Sequence, residues 1–173
     1  MTAVATSSST GASSCLLPHP PQHQWIGDRL RRFLEDAAPE ELMVVTGTGL
    51  LLDSRPGVIP DVMVVERKPI RDGAQVVDPE WAHLVVEIVS RSTTAVDRIV
   101  KPVKYAEAGI PHFWRVEMKP FRGQGADELP VIFTYALDEN DGYQLIHRVA
   151  TGTTVDLTEP FAFRVDPEAL SRI

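Results

Sequence analysis

The run Leu84-Val85-Val86-Glu87-Ile88-Val89 constrains this chain more than any other stretch. Six residues suit a strand, and an almost unbroken apolar run of this kind belongs to a buried central one. Yet a carboxylate sits inside it. Period-2 alternation places Val85, Glu87 and Val89 on one face and Val86 and Ile88 on the other. Burying the Glu87 charge is costly unless a cation or several donors compensate it. Whatever fold the chain adopts must supply that compensation.

A second acid, Asp61, opens the apolar run Val62 to Val65 directly after Pro60. The residues alone leave two accounts open. In the first, Asp61 caps a turn and Glu87 meets an arginine in a buried ion pair. In the second, the ends of two neighbouring strands offer both carboxylates to one hard divalent cation. Mg2+ suits such a site, since it takes oxygen ligands and keeps several waters. An ion held there polarises a phosphoryl oxygen and activates bound water, the requirement for phosphodiester hydrolysis. That chemistry also asks for a cation near the attacking water and the developing negative charge. Lys101 and Lys104, just beyond the Glu87 strand, are the candidates.

The surrounding pattern is helix, strands, helix, strands, which predicts a mixed α/β sheet with flanking helices rather than a regular βαβ repeat. Residues 1–17 read as a disordered tail rich in Ser, Thr, Ala and Gly, and 18–173 as one domain. Ile26, Leu30, Phe33 and Leu34 fall on one face of a helix over Gln24 to Ala37. Leu42 to Thr46 and Leu50 to Leu52, separated by Gly47 and Gly49, suggest a hairpin. The polar stretch Ser90 to Asp97 leads into a helix that stops at Gly109 with Pro111 beyond. Pro102 suits a first turn and breaks a helix interior, so that helix should start or kink near Lys101. His112 to Val116, Val131 to Leu137, Tyr143 to Val149, Thr154 to Leu157 and Phe161 to Val165 complete the strands.

Composition narrows the class. One cysteine, Cys15, excludes a disulfide framework and a cysteine-based zinc site, and no apolar run reaches the length of a bilayer span. The absence of a charged region followed by an apolar core at the N-terminus argues against secretion, and the expected location is cytoplasmic. The net charge is −7, but residues 91–104 hold Arg91, Arg98, Lys101 and Lys104 against Asp97 alone, a local surplus of +3. A basic edge beside two carboxylates in an acidic protein fits a polyanionic substrate.

Three segments together carry a likeness to a known family. Pro60-Asp61-Val62-Met63-Val64-Val65 comes first, then Leu84-Val85-Val86-Glu87-Ile88-Val89-Ser90. The third is Asp97-Arg98-x-x-Lys101-Pro102-x-x-Tyr105-Ala106-x-Ala108-Gly109-Ile110-Pro111-x-Phe113-Trp114. In these the chain resembles the Uma2 family (DUF820) of restriction-endonuclease-like proteins, within the PD-(D/E)xK nuclease superfamily. The resemblance spans roughly residues 18 to 170. It implies a restriction-endonuclease-like central mixed sheet flanked by helices, with a C-terminal antiparallel β-hairpin extension. It implies that Asp61, Glu87 and the backbone carbonyl of Ile88 bind Mg2+, for which Mn2+ could substitute. The superfamily pattern places a lysine two residues after the glutamate, where this chain has Val89; in related proteins it comes from the following helix, where Lys101 stands.

The expected activity is therefore Mg2+-dependent hydrolysis of DNA phosphodiester bonds, with Asp61, Glu87 and Lys101 catalytic. His23, Ser90, Asp97, Lys104 and Tyr105 are auxiliary candidates. His23 could contact phosphate or orient a water, Ser90 could hydrogen-bond near the site, Asp97 is a helix N-terminal acid within reach of Lys101, and Tyr105 could support Lys101. A small basic strip binds DNA weakly per subunit, so a homodimer is expected. Two alternatives stand beside this reading: a catalytically silent module of the same fold that binds nucleic acid or protein, and a plain α/β domain with ion-paired carboxylates.

Overall fold

Six strands form one sheet in the order β1-β4-β5-β6-β7-β8. The computed structural model describes residues 21–52, 55–89, 95–140 and 142–172. The strands of the sheet are β1 (Leu42–Val45), β4 (Val62–Glu66), β5 (Ala82–Val89), β6 (His112–Glu117), β7 (Glu128–Leu137) and β8 (Tyr143–Thr151). Every neighbouring pair is antiparallel except β5 and β6, which run parallel. A parallel pair needs a crossover connection. Here a π-helical segment (Val96–Val100) runs into α3 (Lys101–Glu107) between the two strands. Gly109, at φ 75°, closes that helix in the left-handed conformation a side chain would resist.

Both faces of the sheet are covered, which explains why β4 and β5 read as continuous apolar runs. On one face α1 (Pro21–Ala37) lays Ile26, Leu30 and Leu34 against Val62, Val64, Val86, Ile88 and Trp114. On the other, Tyr105 and Ile110 pack with Met63, Val65, Val85 and Phe113. The alternation expected within β5 is present: Val86 and Ile88 join the first core and Val85 the second. Outside the central sheet, β9 (Val155–Leu157) pairs with β10 (Phe163–Val165), the expected C-terminal hairpin. No helix among the described residues is long and apolar enough to cross a membrane.

Three expectations are corrected. The segments Leu42–Val45 and Leu50–Leu52 do not form a hairpin with each other. β1 pairs with β4 over Leu42↔Glu66 to Val45↔Met63, while β2 (Leu50–Leu52) pairs with β3 (Arg55–Val58), a strand not anticipated. The physical reason is that β4, buried along most of its length, needs a ladder on both edges, and the four-residue β1 matches it residue for residue. Helix α1 begins at Pro21, one turn earlier than Gln24, because a proline fits the first turn, where no N–H is required. Two short helices were not foreseen: α2 (Arg67–Arg71) and α4 (Pro167–Ser171). In α4 the Asp166 side chain accepts the Glu168 N–H at 3.0 Å, with Pro167 in the first turn.

Candidate active site

The antiparallel register Val62↔Val86 sets Asp61, one residue beyond the ladder, beside Glu87. The two acids thus meet on one edge of the sheet. Asp61 Oδ2 accepts the backbone N–H of Ile88 at 2.7 Å, so the carboxylate continues the strand ladder that Pro60 and the chain turn would otherwise end. From α1, the buried His23 donates its Nε2–H to the Ile88 carbonyl at 2.8 Å and lies 3.3 Å from Asp61 Oδ2. Burial works against charge on this imidazole, but Asp61, the Ile88 carbonyl and the more distant Asp97 outweigh it and raise its pKa.

Glu87 is 0% exposed. Its compensation comes from one short stretch of chain. Lys101 Nζ donates to Oε2 at 2.7 Å and the Tyr105 hydroxyl donates to Oε1. The same ammonium stands 3.0 Å from Asp97 Oδ1, a buried oxygen with no well-aligned hydrogen bond among the described residues. Burial pushes the Glu87 carboxyl up to about 8; Lys101 and Tyr105 pull against that, and the Asp61 charge adds to it. For Lys101, burial opposes the charge but Glu87 and Asp97 prevail, so its pKa is raised. Burial, and then Glu87, hold the Tyr105 hydroxyl firmly protonated.

Of the expected site residues, the structure brings together His23, Asp61, Glu87, Ile88, Asp97, Lys101 and Tyr105. Ser90 lies outside the described residues. Lys104 does not join them: it is exposed and lines a separate cavity of about 370 Å³ with Leu51, Leu52, Asp78, Pro79, Glu107 and Ala108. The anticipated basic strip is also rearranged. Arg91 lies outside the described residues, and Arg98 and Lys101 turn inward onto buried carboxylates. Beside the exposed Lys104 stand four exposed large apolar residues, Val96, Ile99, Val100 and Val103.

Sequence reasoning missed a second ionic cluster one strand away. In the parallel register Arg115 lies directly opposite Glu87, yet it does not pair with that residue. Its guanidinium lies over the Phe133 ring, 4.5 Å from the centroid, with Nε 3.1 Å from Glu117 Oε1. Arg98 grips the same buried Glu117 with two bonds of 2.7 Å. The alternation His112-Phe113-Trp114-Arg115-Val116-Glu117 carried the signal, because it sets Arg115 and Glu117 on one face of β6.

Among the described residues, no three His, Cys, Asp or Glu side chains form a group able to hold a metal ion. Mg2+ asks for fewer protein ligands, since it retains waters and uses one or two carboxylates. The donor set is hard: the Asp61 and Glu87 carboxylates and the Ile88 carbonyl. The position favours positive charge, since a histidine N–H already points at two of these oxygens. The residues present fit a magnesium-type ion.

The fold is shared with a solved structure, the crystal structure of "a putative nuclease belonging to DUF820" from Anabaena variabilis. The two have a TM-score of 0.62 at 13% identity, over 88% of this chain and 82% of that one. At that identity the likeness concerns the fold. No curated protein matches the sequence. The family model Uma2, described as "Putative restriction endonuclease", matches residues 15–168. A match across nearly the whole chain, on the fold of a DUF820 structure and over the three segments that build this edge, places the protein in the Uma2 family.

Proposed function

We propose that the protein is a Mg2+-dependent endonuclease that hydrolyses DNA phosphodiester bonds at the Asp61–Glu87 edge. One observation carries the reading: the Lys101 ammonium reaches Glu87 Oε2 from a helix, at 2.7 Å, beside the strand-end carboxylate of Asp61. Asp61, Glu87 and the Ile88 carbonyl would hold the ion. Bound there, it would supply Lewis-acid polarisation of a phosphoryl oxygen and lower the pKa of coordinated water.

The chain's own residues supply the rest. Lys101 places a positive charge where the attacking water is held and negative charge develops. Asp97 and Glu87 fix the ammonium between them, and Tyr105 fixes the second Glu87 oxygen. Burial raises the Glu87 carboxyl against the pull of Lys101 and Tyr105, so a further cation beside it would favour its ionised form. This reading extends to a cytoplasmic homodimer, which light scattering would show as twice the 19.1 kDa chain mass.

A second reading has its own support. Both Glu87 oxygens and the Ile88 carbonyl already have protein partners, as a silent binding module with a vestigial site would also require. Relaxation of supercoiled plasmid in Mg2+ or Mn2+, by wild type and Glu87→Ala, separates the two. The nuclease reading expects cleavage by wild type, abolished in the variant and by chelation. Equal cleavage by both proteins would mark a contaminant, and none by either would favour the binding module.

A further inference from the structure

We propose that His23 is a built-in stand-in for the cation: its Nε2–H occupies the oxygen pair that a metal ion must take, and binding requires the imidazole to withdraw. The inference rests on the metal reading above and adds a competitor to it. Three observations carry it. The Nε2–H bond to the Ile88 carbonyl is 2.8 Å and the same nitrogen is 3.3 Å from Asp61 Oδ2, so one N–H faces two of the three proposed oxygen donors. A carbonyl only accepts, so this nitrogen carries its hydrogen, and a nitrogen that carries a hydrogen cannot ligate a metal. The imidazole in this arrangement is therefore a rival to the ion and not one of its ligands.

The placement in the chain fits an occupant that can leave. His23 sits in the first turn of α1, directly after Pro21 and Gln22, where backbone N–H groups have no intrahelical acceptor to lose. Lys101 plays no such part, because among the described residues its ammonium pairs with the Glu87 and Asp97 carboxylates and makes no hydrogen bond to the Ile88 carbonyl. Without metal the site's oxygens thus face two internal donors of different kinds, the Lys101 ammonium that stays near Glu87 and the His23 N–H that exchanges.

Calorimetric titration of the full chain with Mg2+ and with Mn2+, for wild type and His23→Ala, tests the proposal. The variant should bind either ion about tenfold more tightly, equivalent to about 1.4 kcal/mol. Its metal-free form should melt below wild type, and the ion should raise its melting temperature by more. Weaker binding by the variant would make His23 a ligand, and equal binding would make it a bystander; either overturns the proposal. Histidine-selective 15N NMR of the wild type asks the same question without a mutation. Saturation with Mg2+ should shift the His23 Nε2 resonance as the bond to Ile88 is lost, and an unmoved resonance would overturn the stand-in. If wild type binds no ion by either method, the metal reading itself falls and takes this inference with it. If wild type binds and the variant is unchanged, only the role of His23 falls.

Discussion

Lys101 donates to Glu87 from a helix that begins at that very residue, and the 2.7 Å contact closes a pair between a strand and the helix that follows it, 14 residues apart in the chain. The strand position where the superfamily pattern places its lysine is instead Val89, which is buried. A cation can be delivered from either backbone, because only the location of the ammonium matters to the charge it opposes.

Lys101→Ala should lower plasmid cleavage about 10²- to 10³-fold, in line with removal of one preorganised electrostatic group. Lys104→Ala, only one turn further along, should leave the rate unchanged within about twofold, since its exposed side chain lines the cavity beside Leu51 and Asp78 and does not join the Glu87 cluster. Comparable losses in both variants would show that helix charge in general, and not this contact, supports the reaction.

Stability of the metal-free protein should depend on pH through Glu87. Its carboxyl rises from the usual 4.5 to about 8 on folding, so the folded state binds the proton more tightly than the unfolded one. The resulting stabilisation is complete below pH 4.5 and is lost as pH climbs through 8, by up to about 1.4 kcal/mol per unit. His23, also raised, acts in the same direction. Urea unfolding in chelator at pH 5.5 and 8.5 should show the decline, and Glu87→Gln should flatten it. Magnesium affinity should run the opposite way and strengthen as pH rises.

Tyr105→Phe removes one hydroxyl and leaves the ring in the core it shares with Val85 and Phe113. The loss should be about 1 kcal/mol of stability in chemical denaturation. Cleavage should fall about tenfold, since the Oε1 side of Glu87 is no longer held. A variant with wild-type activity would show that Lys101 alone positions the carboxylate.

Arg98→Ala should destabilise the fold by about 3–5 kcal/mol, because Glu117 is 1% exposed and takes both of its short bonds from this guanidinium. Arg115 approaches only one of those oxygens, at 3.1 Å. Glu117→Gln in the Arg98→Ala background should recover part of the loss, and thermal melting of the single and double variants measures both steps.

Much of the site was readable because its constraints are local. A glutamate among valines announces compensation, Pro102 announces a helix start or kink, and Gly109 with Pro111 announces its end. Pairing was not readable in the same way. Nothing within Leu42 to Val45 specifies that its partner is β4, because strand partners are chosen by burial across the whole sheet. The same holds for Arg115. Alternation fixes its face, but only the parallel register of β5 and β6 shows that it stands opposite Glu87 and leaves that acid to Lys101. The five-residue helices α2 and α4 fall below the length at which periodicity is visible.

Asp97, Lys101 and Tyr105 ride on nine consecutive residues that cross from a π-helical turn into α3. The balance of charge around Glu87 is for that reason not gathered one contact at a time. It arrives whole when those turns settle on the sheet and departs whole when they lift, so a substitution that merely loosens their seat would silence the carboxylate as thoroughly as deleting it.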